Sequence, residues 1–211
     1  MKKILFACCF IFALTALRAQ EMASLFTAMP DQYIPQLENA WRKDLVDLYN
    51  SGKEAKLKNT MEGYSTLKKL TTDYLLLQVT DNSTMEIKRL PLVNNTYIIC
   101  VVNTVFGPAA DSRVAFFTTD WKSLDATDLY TPATTDWFFR EDADRKSDEF
   151  LFAASWLDIQ LIQYSLSEDN FTMKATFTTP QYLGKEEREK VAPFLKTEPR
   201  IKTREKTQLN R

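Results

Sequence analysis

The 211-residue sequence contains no histidine, and that absence removes a large share of enzyme chemistry at once. Ser-His-Asp and Cys-His nucleophile systems, imidazole general bases and imidazole-based zinc sites all need the missing side chain. Glycine is scarce as well. Gly52, Gly63, Gly107 and Gly184 are too dispersed to form a phosphate-cradling loop, so nucleotide binding by the familiar routes is not expected. Of the three cysteines, Cys8 and Cys9 fall near the start, in a segment that reads as removable. Cys100 then stands alone, which excludes an intrachain disulfide, a dithiol redox pair and a thiolate metal cage. Between Ile99 and Val101 it reads as a small apolar core residue. No cofactor and no metal is expected.

Long hydrophobic runs are missing too, except at the beginning. Residues 1–19 have the pattern of an export signal: Lys2-Lys3, an apolar core over 4–17, and Leu17-Arg18-Ala19 as a cleavage site before Gln20. At about 14 residues that core is short for a membrane-spanning helix, and no later segment is long enough for a transmembrane segment after signal removal. Leu5-Phe6-Ala7-Cys8 roughly matches a lipoprotein cleavage box. Only a few apolar residues precede Cys8, however, and the apolar stretch runs on past it, so a lipid anchor is the alternative reading. Losing the signal takes Lys2, Lys3 and Arg18 and no acid, which moves the formal charge from −1 to −4. So mild an acidic balance gives no reason to expect nucleic acid as a partner. The remaining chain fits one domain over 20–195, followed by a basic tail over 196–211.

What is present is organised around residues 94–121, NNTYIICVVNTVFGPAADSRVAFFTTDW. Residues 96–106 are nearly all β-branched or aromatic, with apolar side chains on both alternating faces, which predicts a strand covered on both sides. Gly107-Pro108 breaks the run, and a second strand is expected over 113–119. Upstream, YLLLQV (74–79) and the stretch around Met85, Ile87 and Leu90-Pro91-Leu92 read as two more strands, with Asp81-Asn82-Ser83 as their turn. Four strands with short connections predict an antiparallel meander.

Two helices are expected before it. Leu25, Phe26 and Met29 have helical spacing that Pro30 ends. Leu37, Trp41, Leu45 and Leu48 form a stronger stripe, with Pro35 placed for a first turn and Asn50-Ser51-Gly52 as the stop. The lysine-rich stretch 51–72 reads as a connection with at most short pieces of order. After the meander, Ser147 is expected to cap a short helix with a stripe of Phe150, Leu151, Ala154 and Leu157. A hairpin follows over 160–178, its return strand alternating Phe171, Met173, Ala175 and Phe177 against a wet face of Thr172, Lys174, Thr176 and Thr178. A short charged helix opens at Gly184 and stops at Pro193, and the basic tail is expected to trail free. The fold class is therefore α+β: a single domain, mostly antiparallel sheet, with an N-terminal helix and short helices packed on it.

At ICVVNTVFGPAADSRVAFF, SLSEDNFTMKATFTTP and the KEEREK that follows, the sequence resembles an uncharacterised family of exported Bacteroidales proteins, known only as a domain of unknown function. The resemblance spans about residues 24–195 and implies a bacterial envelope protein, periplasmic or at the cell surface. It implies no reaction, cofactor or catalytic residue. At its end this chain has Arg200-Ile201-Lys202-Thr203-Arg204, where the family tends to finish in a more apolar strand.

Residues 120–149 carry nine acids against four bases, interleaved with aromatic residues. A carboxylate pair flanked by flat rings is what glycoside hydrolysis needs. The same mixture is also what a long surface loop contains, its rings pinning it to a sheet and its acids solvated, and no spacing singles out two carboxylates. The candidate contact residues are Trp121, Tyr130, Asp136, Trp137, Phe138 and Glu141, with no catalytic residue assigned. Asp142 and Asp144 begin like a calcium loop, but Lys146 and Ala153 occupy positions where ligands are needed. The expected function is a non-catalytic envelope module whose partner is an envelope protein or a glycan. The alternative is a carboxylate-dependent hydrolase acting on glycans or peptidoglycan, and a third reading uses the 171–178 hairpin edge for strand addition.

Overall fold

The computed structural model describes residues 21–203 other than Asn95 and Asp128. The expected export signal and the last eight residues of the basic tail lie outside the described residues.

Seven strands follow one another both in sequence and in space: β1 (Lys56–Lys58), β2 (Tyr64–Leu70), β3 (Tyr74–Thr80), β4 (Ser83–Pro91), β5 (Tyr97–Phe106), β6 (Ala110–Thr118) and β7 (Ser123–Leu124). Each pairs antiparallel with its predecessor. The expected meander is thus present and longer than four strands. Residues 51–72, read from sequence as a connection, supply β1 and β2. The β2 ladder slips by one residue between Leu67 and Lys69. Its buried side chains are consequently Ser65, Leu67 and Leu70, a spacing that hides the period of two.

β5 lies well inside the sheet, and its two faces serve two cores, as its sequence requires. Ile99 and Val101 face helix α1 (residues 21–28) and helix α2 (Asn39–Asn50), joining Met22, Phe26, Leu37, Leu45, Leu75, Ile87 and Phe117. Ile98, Cys100 and Val102 face the opposite way, toward Phe116, Phe138, Ile162, Tyr164 and Ala175. Pro35 precedes α2 by a full turn rather than sitting inside it, and Leu37 is buried in that approach. Gly52 ends the helix region at a positive φ of 69°, the left-handed geometry a Cβ disfavours. Within α2, Arg42 is fully buried. Its guanidinium donates to the carbonyls of Met29 and Leu37 and pairs with Asp31 at 2.8 Å, tying the segment between the two helices in place.

The second layer is a three-stranded antiparallel sheet, β8 (Ile162–Leu166), β9 (Thr172–Phe177) and β10 (Arg200–Thr203), in the order β10-β9-β8. Its central β9 buries Ala175 and leaves Lys174 exposed, in line with the alternating pattern, whereas Thr178 is buried with its hydroxyl donating to the Ala110 carbonyl. β10 comes from the tail that composition predicts to trail free. Part of that tail is held down: Lys196 N–H donates to the Phe138 carbonyl at 2.7 Å, and Lys196 Nζ meets Glu141 at 3.1 Å. Strand addition on the hairpin is also overturned. β10 takes the outer edge of β9, and the N–H groups of Ile162, Tyr164 and Leu166 on β8 donate to Asp111 Oδ1, Ser112 Oγ and Glu86 Oε2 of the large sheet.

Three short helices complete this side: α3 (Asp148–Ala154), α4 (Thr179–Tyr182) and α5 (Lys185–Val191). Ser147 caps α3 as its position implies, its Oγ accepting the Phe150 N–H at 3.2 Å. The inward stripe is Phe150, Ala153 and Leu157, packed with Phe139 and Val191, whereas Leu151, expected inside, is exposed together with Phe152. Among the described residues no helix is long and apolar enough to cross a membrane.

Candidate functional site

Each sequence-derived contact candidate has a definite place, and the six do not converge. Trp121 is buried on the helix-bearing face of the sheet, where its ring packs against Phe117 and Tyr33 and its Nε1 donates to the Leu25 carbonyl at 3.0 Å. Tyr130, Trp137 and Phe138 lie on the other face. Phe138 is buried and stacked on Phe177 at 5.2 Å, and Tyr130 meets Tyr164 edge-on, its phenol pushed well above the ordinary range by burial. Trp137 is half-buried, with the Arg200 guanidinium 4.7 Å from its ring centre. The rings therefore pin residues 120–149 to the sheet.

Asp136 and Glu141 are exposed, paired with Arg145 at 2.7 Å and Lys196 at 3.1 Å. The other described acids of the segment are exposed too, and four of them are used locally. Asp120 binds Lys122, a contact that with the Thr118 hydroxyl lowers its carboxyl to about 2. Asp142 holds Arg140, Asp125 receives the Thr127 N–H and hydroxyl, and Asp144 receives the Lys146 N–H. Among the described residues no three acidic or cysteine side chains cluster as a metal site would require.

Polar groups converge elsewhere, at the end of the sheet where the β2–β3 and β4–β5 turns fall. The sequence EIKRLP in β4 places Glu86 and Lys88 on the face toward the small sheet and Arg89 on the face toward α1, by simple alternation. Lys88 is 1 % exposed. Its Nζ lies 3.0 Å from Asp73 Oδ2 and donates to the Glu168 carbonyl at 2.7 Å, with the Tyr74 and Phe171 rings at 5.8 and 5.6 Å. Glu86 accepts the Tyr74 hydroxyl at 3.0 Å and the Leu166 N–H at 2.9 Å, and burial raises its carboxyl above the usual range despite both bonds.

Arg89, on the opposite face, is 7 % exposed. It pairs with Glu21 of α1, and its guanidinium lies 4.1 Å from the Tyr97 ring centre. Its Nε is buried and has no hydrogen-bond partner among the described residues. Two adjoining hollows of about 550 and 390 Å³ open over this group, and Glu21, Arg89 and Tyr97 line both. The larger continues along α1 past Ser24, Leu25 and Ala28 to Thr119, and the smaller runs over Thr72, Asp73 and Pro91 to Phe171 at the hairpin tip. Together they form a groove with an arginine floor, aromatic walls and two carboxylates already engaged by cations.

Sequence reasoning passed over these residues because it read β4 for its apolar positions alone. The available signal was Glu86, Lys88 and Arg89 inside a strand whose neighbours are apolar on both faces, since charges in such a place need partners.

An antiparallel meander with helices on one face, a smaller sheet on the other and a groove at one end defines an α+β protein with a ligand-sized surface hollow. The chain belongs to the family described as Protein of unknown function (DUF3256), whose model matches residues 14–208. It is similar to the solved structure of a domain of an uncharacterized protein from Porphyromonas gingivalis W83, with a TM-score of 0.77 at 30% identity, covering 86% of this chain and 93% of that one. Among curated proteins none matches this chain.

Proposed function

We propose that this protein is an exported component of a bacterial envelope, acting as a non-catalytic binding module whose contact is the groove around Arg89 and Tyr97. The signal pattern of residues 1–19 and the resemblance to exported Bacteroidales proteins support the location. The observation that carries the binding role is a hollow of ligand size floored by the Arg89 guanidinium and walled by the exposed Tyr97. A carboxylate-dependent hydrolase would need two acids facing each other across a pocket. The two acids lining this groove are instead engaged by cations, Glu21 by Arg89 and Asp73 by Lys88.

The test combines location with occupancy. N-terminal sequencing of the protein released by osmotic shock should begin at Gln20. Protein immobilised with an open groove should retain a component of solubilised envelopes that Ser24→Trp, a filling change at an exposed helix position, does not retain. Cytoplasmic recovery with residue 1 intact would refute the location, and equal retention by the filled variant would refute the site.

A further inference from the structure

Building on that reading of the groove, we infer that its ligand is an uncharged oligosaccharide. Charge is the first reason. The groove brings one cation and two carboxylates to its lining, and Lys88 behind Asp73 completes two closed pairs, Arg89–Glu21 and Lys88–Asp73. An anion would meet Glu21 and Asp73, and a cation would meet Arg89, so a net charge on the ligand gains little from the site.

Hydrogen-bonding capacity is the second reason. Vicinal hydroxyls accept from a guanidinium and donate to carboxylates at the same time, so they use both members of an ion pair without breaking it. The Ser24, Thr72 and Thr119 side chains add hydroxyl groups along the lining, and these need partners once a ligand displaces water. A polyhydroxylated ligand would meet these needs from one molecule.

Ring faces are the third. Tyr97 has a guanidinium over its ring and still remains 40% exposed, so much of the ring is open to the groove. Phe171, 39% exposed, stands at the far end of the smaller hollow. Flat aromatic surfaces at the junction of the two hollows and at the far end of the smaller one suit the apolar C–H faces of sugar rings better than an extended peptide, for which neither hollow offers an open strand edge. The two hollows in series fit a chain of linked rings better than a monosaccharide.

The experiment uses the chain from Gln20 to Arg211, a panel of immobilised oligosaccharides of defined structure (neutral, uronic-acid-bearing and amino-sugar), and titration calorimetry on those retained. At least one neutral member should bind saturably, with little loss when salt is raised tenfold. Tyr97→Ala should weaken binding by about tenfold, Tyr97→Phe should keep most of it, and Ser24→Trp should abolish it. Thermal melts confirm that each variant is folded. A panel from which no neutral member is retained overturns the inference, as does a preference for acidic sugars that salt removes. If the panel is silent while the open groove captures an envelope protein that Ser24→Trp does not, the groove stands as a contact and the sugar assignment falls. If Ser24→Trp changes no capture, both fall.

Discussion

Glu86 on β4 accepts the backbone N–H of Leu166 on β8 at 2.9 Å, so a carboxylate of the large sheet ends the hydrogen bonding of the small one. The same oxygen takes the Tyr74 hydroxyl at 3.0 Å. Burial raises the Glu86 carboxyl, so the folded protein holds this proton more tightly than the unfolded chain does. The stability it contributes is therefore complete below the ordinary glutamate range and declines as pH rises through the raised value. Glu86→Gln cannot ionise and lacks that slope. In urea melts, wild-type stability relative to Glu86→Gln should fall as pH rises from the ordinary glutamate range through the raised value, and parallel curves would contradict the assignment. Glu86→Ala strands both donors and should cost about 2–3 kcal/mol.

The aromatic residues of 120–149 divide by burial, and mutation should reproduce the division. Phe138→Ala and Trp121→Ala each remove a buried ring and should cost about 3–5 kcal/mol. Asp136→Ala and Glu141→Ala break exposed pairs and should stay within about 0.5 kcal/mol of the wild type. Equilibrium denaturation of the four variants separates the groups.

Arg42 supports the link between the first two helices. Arg42→Met fills the space but leaves the Met29 and Leu37 carbonyls without their donor, and should cost about 3 kcal/mol. Arg42→Lys should recover only part, since one ammonium cannot reproduce the planar fork. Thermal unfolding measures both. A neutral Arg42→Met would show that water replaces the guanidinium.

Cys100 sits in the centre of β5 with 1% exposure. A thiol reagent should modify it only when the sheet opens, so the labelling rate should rise with urea in step with global unfolding. Fast labelling of the native protein would place the sheet centre within reach of solvent.

The double-sided apolar pattern of residues 96–106 was enough to place β5 between two cores, because only a strand covered on both faces can use Ile98 and Ile99 equally. β2 was not legible. Its bulge after Leu67 breaks the alternation that marks a strand, and its lysines resemble a linker. The hairpin was legible in its period, but β10 was not, because composition does not show that Arg200 packs on Trp137. The groove was hidden for a different reason. Its lining comes from α1, three sheet turns and the hairpin tip, which only the folded chain assembles, and the buried charges of β4 were the one local trace of it.

In the seven-stranded meander every strand finds its partner in the residues just made, so a chain emerging from its amino end can add strands one at a time, each closing only a short loop. The small sheet has no such independence: β8 finds its acceptors on β4 and β6, and β10 arrives last of all. Truncation from the carboxyl end should therefore strip the second layer first and leave a half-covered platform, with the Cys100 face laid bare and prone to self-association.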